Sequence, residues 1–274
     1  MSAGFFQQTR PPAVAGMFYP DDPRELGRWV ERFVEEGRPG GGTDPKAIIA
    51  PHAGYAYSGP VAGSAFRPWA GARDRIERIV LIGPSHHVWF DGIALPRAGA
   101  FVTPLGRVPV DREAVERIAD LPQVCLFDPA HAAEHSLEVE LPFLQVLLDR
   151  FTIVPLVVGE ASDEEVAEVL DRLWGGPETR IVVSSDLSHY HPYEMAVRLD
   201  RATAEAIEEG RAESLTSRNA CGFRAIRGLL RAQAAQNLAA ETVDLRNSGD
   251  TAGPRDRVVG YGAFQFEAPP AGGS

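Results

Sequence analysis

Three histidines in this chain each follow a short apolar, β-branched run: His52 in IIAPHAGYAYSGP, His86 in LIGPSHHVWF and His189 in VVSSDLSHYH. Such runs read as buried strands, so three separate strand ends would each deliver an imidazole to one edge of a sheet. Neutral imidazole is the commonest protein ligand for Zn, Fe and Cu, and about three protein ligands hold a metal while leaving a position open for water or substrate. Cys221, in ACGF at the start of an expected helix, is the fourth candidate. The positive end of the helix dipole there would lower the thiol pKa and favour the ligating thiolate. Asp186 precedes His189 by three residues. In a helical turn both would lie on one side, and a carboxylate there raises the imidazole pKa and fixes its tautomer for general acid/base work.

The segment AHAAEHSLEVELPFL adds Glu134, His135 and Glu138 around a helix start. Two readings stand side by side: His135 orients a ligand or substrate by hydrogen bond, or the acidic residues complement the helix dipole. His87, beside His86, and Tyr55, in the His52 run, are further candidates for contact with a ligand or substrate, and His191 neighbours His189. Cys125, between Val124 and Leu126 in a strand pattern, reads as core, and His131, on a loop after Pro129, as surface. No GxGxxG, P-loop or GxSxG motif occurs, so no nucleotide cofactor is expected.

To bring these residues together the chain needs a sheet. Periodicity predicts strands over 48–51, 78–83, 92–95, 123–127, 152–158, 180–185 and 258–266, and helices over 24–36, 61–70, 111–120, 137–149, 162–174, 193–209 and 221–236. Ser162 and Glu165 have capping-box spacing, while Pro142 must kink its helix or begin a new first turn. The prolines of PPAVAGMFYPDDP predict an extended path along the surface. Strands alternating with helices predict one α/β domain over 10–266, a mostly parallel central sheet with helices on both faces, and flexible termini at 1–9 and 267–274. Ligands of such folds bind beyond the carboxyl ends of the strands, where the three histidines fall.

Composition narrows the function classes. The 274 residues, 44% hydrophobic and 24% charged, suffice for a full hydrophobic core. A formal net charge of −11 repels phosphate backbones, so nucleic acid is not an expected partner. Two cysteines make no disulfide framework, and neither a signal peptide nor a run of about 18 apolar residues is found. A cytoplasmic protein without membrane contact is the expectation.

The runs RPPAVAGMFYP, IIAPHAGYAYSGPVAG, LIGPSHHVWF, EHSLEVELPFL, VVSSDLSHY and ACGFRAI, in this order between Arg10 and Phe266, resemble the Memo-like family, whose prokaryotic members are called AmmeMemoRadiSam system protein B. The resemblance implies a fold like that of class III extradiol dioxygenases and a cleft for non-haem iron, with copper or zinc as alternatives. It implies His52, His86 and Cys221 as metal ligands, and His189 with its neighbour Asp186 as the acid/base pair. It also implies association with AMMECR1-like and radical SAM proteins. Extradiol dioxygenases complete their ligand triad with a carboxylate; Cys221 is a softer donor that shifts preference toward Cu(I) or Zn as well as Fe(II). Three functions follow: a metal-dependent redox enzyme acting on a small molecule; a hydrolase or transferase with Cys221 as nucleophile, His189 as base and Asp186 as orienter; or a module binding a peptide or protein partner in the same cleft.

Overall fold

The computed structural model describes residues 8–268, without the side chains of 233–236. The chain forms β1 (Thr9–Arg10), α1 (Pro23–Glu36), β2 (Ala47–Ala50), α2 (Tyr55–Phe66), β3 (Arg78–Pro84) and β4 (Ile93–Leu95). Then come β5 (Ala100–Thr103), β6 (Gly106–Pro109), α3 (Arg112–Glu116), β7 (Val124–Leu126), α4 (Asp128–Ala132), α5 (Leu141–Leu147) and β8 (Thr152–Val158). The last part holds α6 (Asp163–Leu173), β9 (Thr179–Ser184), β10 (His189–His191), α7 (Tyr193–Glu208), α8 (Phe223–Gln236), β11 (Ala239–Asn247), α9 (Ser248–Thr251) and β12 (Val258–Glu267).

Nine strands make the main sheet in the order β10-β12-β2-β9-β3-β8-β4-β7, with β11 also paired to β12. Its centre, β2-β9-β3-β8, is parallel. Every residue of β2 and β9, and all but the first of β3 and β8, is buried. Strands buried on both faces need cover on both, which explains their unbroken Val/Ile runs. Two helix groups supply it: α1, α2 and α5 pack together, as do α6 and α8. The flanks depart from the expected mostly parallel sheet, because β12 runs antiparallel to β2, β10 and β11, and β4 antiparallel to β8. The sheet is therefore mixed, with a parallel core.

Local signals explain several helix starts. Asp22 caps α1 by accepting from Glu25 N at 2.8 Å with Pro23 in the first turn, and Ser162 and Glu165 complete the capping box of α6. The 137–149 segment splits: a 3₁₀ turn over Glu138–Glu140 precedes α5, where Pro142 occupies the first turn. The helix expected over 61–70 begins earlier, at Tyr55, and gives way to a 3₁₀ turn at Arg67, while the one expected over 111–120 is only α3.

Several expectations need correction. Thr9 is not loose but, with Arg10, pairs with Ala100 and Phe101 in a small sheet of β1, β5 and β6, and Glu267 belongs to β12. The remaining terminal positions, 1–7 and 269–274, lie outside the described residues. Cys125 is exposed rather than core, because β7 is a three-residue edge strand whose middle side chain points away from the sheet's covered side. His131 is buried, not on the surface, with Nε2–H donating to the Ala94 carbonyl at 2.9 Å. The PPAVAGMFYP segment runs along the surface in turns rather than extended, and buries Val14 and Tyr19 for a reason that lies in Glu138.

Burial holds the His131 ring down at about 4, well under its ordinary 6.5. The unfolded chain therefore binds a proton that the native state refuses between these values, so stability is full above pH 6.5 and falls as pH drops toward 4, by up to roughly 3 kcal/mol. His131→Gln keeps an N–H for the Ala94 carbonyl and removes the titration. Urea unfolding at the two ends of this window is expected to show a flatter pH dependence in the variant; an unchanged slope would assign the acid lability to other groups.

Candidate metal centre

Because β2, β9 and β3 are parallel and in register, with Ala50 opposite Ser184 and Ile82 opposite Val183, the residues just past their carboxyl ends meet at one rim. There the His52 and His86 rings lie 5.1 Å apart between centroids. A third ring, His135, arrives from the loop between α4 and the 3₁₀ turn, 5.4 Å from His52 and 4.6 Å from His86. Among the described residues, these three form the one group whose donor atoms all lie within 4.8 Å of one another. Cys221 stands just outside that group, with Sγ 3.3 Å from His52 Nε2.

Two of the imidazoles are held from behind by hydrogen bonds. His52 Nδ1 lies 2.7 Å from Ser184 Oγ, and its backbone N–H donates to Asp186 Oδ1 at 2.8 Å. His86 Nδ1 donates to Glu134 Oε1 at 2.8 Å, and Glu134 Oε2 accepts from the His86 backbone N–H at 2.6 Å. His135 Nδ1 is 3.5 Å from the same carboxylate. Anchoring Nδ1 to an outer partner leaves Nε2 to face a ligand, the arrangement that metal-binding histidines show.

Electrostatics favour neutral rings at His52 and His135. His52 is fully buried, and burial with the neighbouring rings of His86 and His135 pushes its pKa well down. Burial likewise lowers His135 to about 4, helped by the charges of His86 and His87. Burial alone would raise Glu134, but the His86 ring and the backbone N–H groups of His86 and Ser136 outweigh it and hold the carboxyl well below its usual range. An anionic Glu134 beside the neutral rings of His52 and His135 is a charge pattern suited to a cation.

Cys221 overturns one expectation. It precedes α8, yet burial, with the nearby Asp186 carboxyl, pushes its thiol up to about 12 rather than down. Its sulfur accepts from Asp186 N at 3.3 Å, and Gly222 N donates to Ser185 Oγ at 2.9 Å, which ties the start of α8 to the end of β9. A Cβ at Gly222 would stand 2.8 Å from Ser184 O, so only glycine allows this approach.

Asp186 and His189 do not hydrogen-bond to each other. Residues 185–188 form no helical turn; Asp186 binds the His52 backbone, while His189 Nδ1 donates to Leu187 O at 2.8 Å. Burial raises Asp186 to about 7 and lowers His189. His189 starts β10 at a bulge, and Tyr190 after it takes a left-handed φ of 61°, a strained position for a residue with a side chain. His87 sits at the margin, its ring 6.0 Å from that of His135. Tyr55 is a core residue, 1% exposed, with its hydroxyl donating to Val139 O at 2.7 Å, so it is not free to meet a substrate.

Glu138 also lies away from the cluster. It is completely buried, ion-paired to Arg10, and accepts from Ala13 N at 2.7 Å, Val14 N at 3.0 Å and Tyr19 Oη at 2.5 Å. The strap it clamps carries Phe18 to within 4.9 Å of the His135 ring. Sequence reasoning missed Ser184 and Glu140, which lie behind His52; the signal was present in VVSSD, whose Ser184 ends a strand beside the histidine strand. Beside His86 and Cys221 opens a cavity of about 350 Å³ walled by Trp89, Phe90, Glu160 and Arg224.

A solved structure of an uncharacterized protein from Escherichia coli K12 aligns over 78% of this chain and 98% of that one, with a TM-score of 0.47 and 14% identity. A MEMO1 family protein of Methanothermobacter thermautotrophicus is 37% identical over 276 residues, covering 92% of this chain and 98% of the relative. MEMO1 family proteins of Methanopyrus kandleri and Aquifex aeolicus are 36% and 38% identical, over 94% and 93% of this chain and 98% and 97% of theirs. The sequence profile described as Memo-like protein matches residues 10–265. With nearly the whole chain matched by that profile and by full-length relatives, the protein belongs to the Memo-like family.

Proposed function

We propose that this Memo-like protein binds a single transition-metal ion, iron(II) in the first instance with copper or zinc as alternatives, through His52, His86 and Cys221, and uses it for redox chemistry on a small molecule. The observation that carries the reading is the convergence of three imidazoles, those of His52 and His86 anchored from behind, with the Cys221 sulfur 3.3 Å from His52 Nε2. Two donors that share one ion at bonds of about 2.0–2.3 Å stand roughly 3–3.5 Å apart, so that spacing fits joint coordination. A bound iron or copper ion would supply Lewis acidity and electron transfer to a substrate beside it.

The chain's own residues do the rest. Trp89 and Phe90 offer apolar walls to a substrate in the cavity, and Arg224, paired with Glu160, offers a charge to a polar group on it. His189 holds its proton on Nδ1, which leaves Nε2 as a neutral base. His135, neutral at physiological pH, serves as a fourth donor or a hydrogen-bonding group for substrate. Chemistry of the extradiol-dioxygenase kind is the reading we favour within this class.

The nucleophile alternative is weaker on this geometry. Cys221 has His52 within reach, but burial and Asp186 keep the thiol protonated, whereas a catalytic cysteine is held as thiolate in electropositive surroundings. The peptide-binding alternative draws support from the exposure of Tyr57, Trp89 and Tyr190, all close in sequence to residues of the site.

Elemental analysis of anaerobically purified protein, reloaded with iron(II), tests the proposal. Near-stoichiometric metal is expected in the wild type and almost none in His52→Ala. A wild type that holds no metal after reloading, or a His52→Ala protein that holds as much, would refute it.

A further inference from the structure

Ser184 Oγ has three partners: His52 Nδ1 at 2.7 Å, Glu140 Oε1 at 2.8 Å and the Ser136 carbonyl at 2.6 Å. All of this is sealed from solvent, with Ser184, Ser136 and Glu140 at 0% exposure and His52 at 1%. A hydroxyl has one proton to give and two lone pairs to receive. The Ser136 carbonyl accepts only, so the Ser184 proton goes there. The other two partners must then donate: His52 carries its proton on Nδ1, and Glu140 carries a carboxyl proton. An ionised Glu140 would leave two acceptors competing for one hydrogen.

A second observation points the same way. Glu140 Oε2 is buried without a hydrogen-bond partner, and no cation is paired with this carboxyl among the described residues. An anion so placed would face a desolvation cost of several kcal/mol, while a neutral acid leaves only one carbonyl-type oxygen unmatched. Burial, with the Asp186 charge, also drives the Glu140 pKa well above the ordinary carboxyl value.

We infer that Glu140 is a neutral carboxylic acid whose hydrogen bond to Ser184 locks His52 in the Nδ1–H tautomer, with the Nε2 lone pair turned toward Cys221 and any cation bound there. Glu140 and Ser184 are thus positioning residues acting on His52 from behind. The consequence for affinity rests on the metal-binding reading above; the tautomer is a property of the metal-free protein and does not.

Nitrogen-15 NMR of the metal-free protein, with the His52 resonances identified by their loss in His52→Gln, reads the tautomer directly. Zn(II) affinity, measured by competition with a chelator, reads the consequence. The wild type is expected to show Nδ1–H. Glu140→Gln, whose amide N–H replaces the acid O–H as donor, is expected to keep that tautomer and to bind Zn(II) within about threefold of wild type. Ser184→Ala is expected to populate both tautomers and to weaken Zn(II) by roughly 10–100-fold, the range for loss of an outer partner of a ligand. An Nε2–H tautomer in the wild type would overturn the inference, and so would a Glu140→Gln protein that loses as much affinity as Ser184→Ala, since that shows an anion to be required. If wild type fails to bind Zn(II) while His52 keeps Nδ1–H, the relay stands and the metal reading falls.

Discussion

Raising the pH from about 6 to about 8 is expected to tighten Zn(II) binding by wild-type protein about a hundredfold more than binding by Cys221→Ala. The reason is the proton on the thiol. Cys221 is pushed up to about 12, so the metal-free protein carries S–H across the whole range, and a thiolate ligand forms only by expelling one proton per metal. That linkage makes apparent affinity climb about tenfold per pH unit. Any slope from the imidazoles of His52, His86 and His135 is present in both proteins and cancels in the comparison. Asp186, near 7, titrates in the window but is present in both proteins, so the difference between them isolates the sulfur. Isothermal titration in buffers of different ionisation enthalpy would count the protons released. Equal slopes for the two proteins would remove Cys221 from the ligand set and leave the trio of His52, His86 and His135, the donors that lie closest together.

Glu138→Ala is expected to cost about 3–5 kcal/mol, a large part of the roughly 5–15 kcal/mol that holds a domain folded. The substitution strands the buried Arg10 guanidinium and leaves the backbone N–H groups of Ala13 and Val14 and the Tyr19 hydroxyl without their acceptor. Glu138→Gln keeps an acceptor oxygen and loses the charge, so its loss should be smaller. Urea unfolding measures the stability, and limited proteolysis tests the location: cleavage should appear first between residues 10 and 22. Arg10 also donates to the His131 and Glu134 carbonyls, so release of the strap loosens the loop that presents Glu134 and His135. A variant as stable and protease-resistant as wild type would show that the clamp contributes nothing net, the outcome known for some buried ion pairs replaced as a unit.

Much of the site was legible in order but not in contact. IIAPH, LIGPSHH and VVSSDLSH advertise strand, turn and imidazole, and the strands β2, β3 and β9 form where their apolar runs stand. The errors have common physical causes. Cys125 and Tyr55 show the same residue types as a core strand and a ligand motif, but which side of an element is covered depends on neighbours that are remote in sequence. The helix-dipole argument for Cys221 failed because desolvation, with the Asp186 carboxyl beside it, outweighs a partial charge at this half-buried thiol. Asp186 and His189 were read through a helical turn that the chain does not make. β11 went unread because Glu241, Asp244 and Arg246 interrupt its apolar pattern, and their partners lie far along the chain.

By itself the sequence determined the kinds of element, the caps of α1 and α6, and the placement of histidines just past strand ends, since these depend on periods and spacings within a few residues. Only the tertiary structure decided that the central strands are parallel while their flanks are not, that His135 joins His52 and His86 while Glu138 turns away, and that Ser184 and Glu140 stand behind a ring more than eighty residues distant. Protonation follows from those decisions. Whether a carboxyl or thiol keeps its proton depends on which charges and how much water surround it, and those surroundings are assembled from the whole chain.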